Sequence, residues 1–172
     1  DLSSRDLSPL ANLIKLEKLT IRCPNSKNQQ LDFLQNLTSL HGLKMSDVYM
    51  ETVPSLSASA SMTSLELSRD GIVDASALKK VTSLETLNLC DNKIEDISFL
   101  WSMHKLKELD ISKNNIQDVY VLLSLPTLEV LKIDTLGNKN TSALNILQAM
   151  PNLRYLRLAD GTCYSTRQEV AE

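Results

Sequence analysis

The residues of this chain that could do chemistry are few and scattered. His41 and His104 are the only imidazoles. Acid–base or nucleophilic catalysis needs a base within hydrogen-bond reach of its partner, and neither histidine stands in a motif that supplies one. Cys23, Cys90 and Cys163 lack the CxxC spacing of a zinc site and are too few for a disulfide framework. Cys90 has no neighbouring base or cation motif to activate it, so it reads as a small surface residue. Gly42, Gly71, Gly137 and Gly161 never cluster into a phosphate cradle, and neither HExxH nor GxSxG occurs. No catalytic residue, metal ligand set or cofactor is therefore expected. What remains is binding chemistry, carried by charged and aromatic side chains that some scaffold must place.

The totals narrow the partner. The chain has 172 residues and a net charge of -3, with a pI near 5.4, so it has no bulk attraction for nucleic acid. No apolar run approaches the ~18 residues of a membrane span. The sequence opens on Asp1 without a basic-then-apolar leader, as expected of a processed product or a fragment of a longer chain. Unpaired cysteines lean the reading towards an intracellular location. The sequons at Asn36 and Asn140 carry weight only in a secreted protein.

The scaffold is legible in a repeat. The phrase LxxLxL begins at Leu16, Leu40, Met62, Leu84, Leu106, Leu128 and Leu153, and four consecutive intervals are 22 residues. Behind it, Asp70, Asn92 and Asn114 share a column, then Ile72, Ile94 and Ile116, then Asp74, Asp96 and Asp118. Leu78, Leu100 and Leu122 follow, each with an apolar residue three positions later. Such a unit cannot bury its own apolar edge, so neighbours must stack into a continuous core. Alternation along the strand points Leu87 and Leu89 inward, and Thr86, Asn88 and Cys90 outward. A side-chain amide at the bend can satisfy backbone groups that no ladder reaches, so Asn92 and Asn114 should form a ladder. Asp70, which can only accept when ionised, is a poorer member. Pro24, Val48, Leu136 and Gly161 interrupt the column.

The pattern LxxLxLxxNxIxDxxxLxxL resembles the 22-residue leucine-rich repeats of bacterial internalins and of the protein-phosphatase-1 regulatory subunit built from similar repeats. The opening DLSPLANLIKLEKL is close to the internalin phrase. The resemblance implies an α/β solenoid of about seven parallel strands on the concave side, with short helical or irregular return segments. The expected domain covers 1–160: a partial first repeat over 1–15, then strands near 18–22, 42–46, 64–68, 86–90, 108–112, 130–134 and 155–158. Residues 161–172 are expected to be a polar tail or cap remnant. Leu144, Leu147 and Met150 before Pro151 resemble the closing helix of eukaryotic members of the class. The chain starts inside a unit, so upstream sequence or another chain is expected to cover that end.

The concave face is the default binding surface of such a fold, and the register selects its residues. Arg22 and Lys44 lie towards one end, Glu66, Asn88, Asp91, Glu108 and Asp110 in the middle, and Lys132, Tyr155 and Arg157 at the other. Segregated charge of this kind would steer a partner into place. Phe99 and Trp101 fall on the return side, outside the Leu columns, and define an alternative contact on the convex side. The expected function is non-catalytic protein–protein interaction, as an adaptor or regulatory scaffold. Two other readings stay open: a secreted or cell-surface adhesin resembling internalin, and a structural subunit joined to its neighbours through Trp101 and the uncapped N-terminal end.

Overall fold

A computed structural model of the chain describes residues 6–24, 30–56, 61–134, 146–158 and 163–165. Seven strands follow one another in a parallel sheet. They are β1 (Lys18–Arg22), β2 (Gly42–Ser46), β3 (Ser64–Ser68), β4 (Thr86–Asn88), β5 (Glu108–Asp110), β6 (Val130–Lys132) and β7 (Tyr155–Arg157). Equivalent residues pair throughout, as in Leu43↔Leu65↔Leu87↔Leu109↔Leu131↔Leu156. Leu43, Leu65, Leu87, Leu109 and Leu131 are buried, and so are Met45, Leu67, Leu89, Ile111 and Ile133 two places on. Each such side chain contributes about 1.5–3 kcal/mol when fully buried.

β4 and β5 are shorter than the five residues expected, because a side chain diverts the ladder. Asn88 Oδ1 accepts from the Cys90 amide at 2.9 Å, and Asp110 Oδ1 accepts from the Ser112 amide at 3.1 Å. Side-chain acceptors two residues back compete with the preceding strand for these amides. β6 and β7 are also three residues long.

An eighth strand, β8 (Cys163–Ser165), was not expected: it pairs antiparallel with β7, through Tyr155↔Ser165 and Arg157↔Cys163. It falls within the segment read as a polar tail. The outer edge of β7 would otherwise present unpaired backbone groups, and an antiparallel partner needs only a short connection.

The return segments are 3₁₀ turns: η1 (Ser8–Asn12), η2 (Asp32–Asn36), η3 (Ser76–Lys80), η4 (Ser98–Ser102) and η5 (Tyr120–Ser124). Their period explains the spacing of apolar residues by three. Leu100 donates to the Ile97 carbonyl, Met103 to Leu100 and Leu106 to Met103, at 2.9–3.1 Å. Side chains three apart eclipse in this geometry, and all four of these are buried. The aspartate column starts the turns. Asp74, Asp96 and Asp118 each accept from the amide two residues on, at 2.8, 2.7 and 2.8 Å, the Asx geometry favoured by short carboxylates. Near the C-terminal end a turn of α-helix spans 146–148. Leu147 and Met150 are buried there, while Leu144 lies outside the described residues.

The ladder at the bend forms as the columns require. Asn92 Nδ2 donates to the carbonyls of Leu67 at 2.8 Å and Leu89 at 2.9 Å. Its Oδ1 accepts from the amides of Asp70 and Ile72, both at 3.1 Å. Asn114 repeats the pattern on Leu89 and Ile111 carbonyls and the Ile94 amide. Asp70 fills the same place with half the chemistry. Its Oδ1 accepts from Val48 at 2.8 Å, whereas its buried Oδ2 has no hydrogen-bond partner. Of the interruptions, Val48 is buried in the core, and Leu136 and Gly161 lie outside the described residues.

Burial pushes the Asp70 carboxyl up to about 6, with Asp47 and Glu66 adding to the rise and the Val48 amide and Arg69 opposing it. A folded-state value above the unfolded 3.8 means that the native state holds the proton more tightly. The resulting penalty is absent below about pH 3.8, grows up to about 6, and is then constant at roughly 3 kcal/mol. Asp70→Asn supplies the missing donor without charge. It is expected to raise stability at pH 7 by roughly 2–3 kcal/mol and to flatten the decline between pH 4 and 6, measured by urea unfolding across that range.

Candidate interaction surface on the open face of the sheet

The outward-pointing residues of β3 to β6 enclose an open cavity of about 230 Å³. Glu66, Asn88, Glu108, Asp110 and Lys132 line it, with Thr86 beside them. These belong to neighbouring columns because each strand is short, in register, and turned by its leucines. Five of the ten residues expected on this face thus come together around one depression.

The other five lie around it. Arg22, at the β1 end, sits 3.4 Å from Asp47, which Arg69 approaches at 3.4 Å from the next repeat. Lys44 pairs with Glu66 at 2.8 Å. Arg157 reaches Asp110 at 4.0 Å, beyond Lys132 at 3.5 Å. Tyr155 stands in register with Val130. Asp91 belongs to the bend, where its backbone has φ of 62°, and it does not line the cavity. Asp47, Arg69 and Lys113 adopt the same left-handed conformation at the equivalent bends.

The charges therefore segregate less than the sequence order implied. Parallel register sets Lys44 against Glu66 and Asp110 against Lys132, so opposite signs meet on adjacent strands. Exposed pairs of this kind contribute about 0–1 kcal/mol each. Glu108 forms no ion pair among the described residues. The Asp47 clasp between two arginines was missed, although Arg22, Asp47 and Arg69 occupy adjoining columns.

Cys90 is half-buried. Ser112 Oγ lies 3.3 Å from its sulfur and 2.5 Å from Asp110 Oδ1. The single hydroxyl proton goes to the carboxylate, which is the stronger acceptor, so the thiol donates to the serine oxygen. His41 and His104 are exposed.

The convex-side alternative needs a correction. Phe99 is not a surface residue: it is 5% exposed, within the core. It heads a column with Phe33, Ala77 and Val121, each immediately before the invariant turn leucine. An apolar residue at every one of these places was the signal for a further inward column. Trp101, two residues on, is 61% exposed and Tyr120 is 59% exposed.

Comparison with known proteins agrees with the fold. A family model described as leucine-rich repeats (2 copies) matches residues 82–124. An internalin (InlF) of Listeria monocytogenes superposes with a TM-score of 0.77 at 25% identity, covering 91% of this chain and 45% of that one. Internalin C2 (InlC2) of the same organism gives 0.79 at 26% identity, covering 89% and 66%. A plant peptide hormone receptor, RGFR1, solved in complex with RGF2, gives 0.62 at 15% identity over 91% of this chain and 27% of its own. The last likeness is one of fold. Comparison with curated protein sequences finds no significant match. The chain carries leucine-rich repeats and resembles internalins. It spans less than two thirds of the length of either internalin. No helix among the described residues is long and apolar enough to cross a membrane.

Phe99→Ala is expected to cost about 3–5 kcal/mol by opening a core cavity. Trp101→Ala should stay within about 0.5 kcal/mol, as for exposed positions generally. Urea titrations of the two variants beside the parent check both values.

Proposed function

We propose that this chain is a non-catalytic protein-interaction module that seats its partner on the open face of the sheet, over β3 to β6. The observation that carries the reading is the depression itself. Three carboxylates, Glu66, Glu108 and Asp110, face it against the single ammonium of Lys132, and Glu108 has no ion pair there among the described residues. A partner with basic or N–H donor groups can take up Glu108 directly. It can also exchange with the exposed Lys44–Glu66 pair, because such pairs hold weakly.

The fold adds general support, since leucine-rich repeats are protein-interaction modules. The paired charges on either side orient an arriving partner more than they hold it. An adaptor, a regulatory scaffold and an adhesin would all use this face in the same way.

The test is charge reversal. Glu66→Lys, and separately Glu108→Lys, should each weaken capture of the partner about tenfold or more, while the thermal midpoint moves by only a few degrees. Cross-linking mass spectrometry of material captured from the native source should map contacts to β3–β6. Full-strength capture by both reversed chains would remove the sheet face from consideration.

A further inference from the structure

A second cavity lies on the return side of the solenoid, between η4 and η5. It is an open groove of about 450 Å³. Trp101 and Tyr120 line it, with Ile97 among its apolar residues. Glu95, Asp96 and Asp118 also line it, and no lysine, arginine or histidine among the described residues does.

Nothing in the repeat requires this composition. At the place of Trp101 the neighbouring units carry Lys79 and Leu123, and at the place of Tyr120 they carry Ser76 and Ser98. Glu95 stands where its neighbours have Val73 and Gln117. Asp96 and Asp118 are ordinary turn-starters, each holding an amide of its own segment. That role fixes their carboxylates in place and leaves their charge on the groove. The two aromatics are more than half exposed, although the core beneath them is closed by Ile97, Phe99 and Val121.

We infer that this groove binds an arginine side chain presented by a basic segment of a partner protein. Aromatic faces attract a cation through their quadrupole, most strongly at tryptophan. A guanidinium also stacks as a plane and donates in a fork to a carboxylate. An apolar occupant would face three carboxylates without neutralising them. Phosphate-bearing partners, whether nucleic acid or anionic lipid, would be repelled by the same rim. The inference stands apart from the sheet-face reading, because the two sets of lining residues do not overlap.

Trp101 is the chain's only tryptophan, so its emission reports on the groove alone. The whole chain is titrated with a short capped peptide of alternating arginine and glycine, followed by fluorescence and by calorimetry. Saturable binding with a change in Trp101 emission is expected, weakening as salt is added. Trp101→Leu, which copies the residue at the equivalent place in the next repeat, should weaken binding about tenfold by calorimetry. The triple variant Glu95→Gln, Asp96→Asn, Asp118→Asn should do likewise, since asparagine keeps the turn acceptor and loses the charge. A citrulline peptide, neutral and of the same shape, should fail to bind. Absence of saturable binding, equal binding of the citrulline peptide, or unchanged affinity in both variants would overturn the inference. The chain carrying Glu108→Lys should bind the peptide as tightly as the parent, and a loss there would move the site to the sheet.

Discussion

No strand of this protein can satisfy its own backbone. Three to five residues of extended chain have donors and acceptors on both edges, and a turn follows before the chain can pair with itself. For β1 to β7 the partner comes from the adjoining unit, at the same height and in the same direction. That requirement fixes equal spacing for equivalent residues, as in the pairing of Leu65, Leu87 and Leu109. It aligns the apolar columns without further instruction. Even where the interval lengthens to 24 residues between Leu16 and Leu40, β1 and β2 keep register from Lys18↔Gly42 to Arg22↔Ser46. The excess is absorbed outside the strands, as the ladder demands.

Much of this was legible because identity, repeated, removes the ambiguity of short apolar runs. Columns of leucine gave the strands and their register, and the asparagine column gave the bend. Asp70 could be recognised as a deficient member from its chemistry alone. The turns were harder. Spacing by three at Ile97, Leu100, Met103 and Leu106 is the signature of 3₁₀ geometry, yet it reads at first as a generic helical return. Phe99 was misplaced for a related reason: a tighter turn swings one more residue per unit inward than the leucine pattern accounts for. β8 left no trace in the pattern, because its pairing with β7 is made through backbone groups that every sequence possesses.

The candidate surfaces divide along the same line. The sheet face could be drawn up residue by residue, since register alone decides what lies beside what. Its electrostatics could not, because ion pairing depends on reach across strands as well as order along the chain. The groove of Trp101 and Tyr120 is the reverse case. Its residues come from places where the repeat tolerates many side chains, so no rule of the fold foretold that they would gather. Residues the scaffold leaves free are those through which a common architecture acquires a particular partner.

Asp70 has a consequence beyond its own energy. A solenoid is a linear array in which each unit is coupled only to its neighbours, so its cooperativity is that of its weakest link. Asp70 ties the bend of the third unit to the second through the Val48 amide, while Asn92 and Asn114 join the later units through donors and acceptors both. Near neutral pH the link at Asp70 bears a buried negative charge, and in mild acid it does not. One joint of the array is thus sensitive to proton concentration, while the five-residue pairing of β2 with β3 beside it carries no titrating group in its backbone ladder.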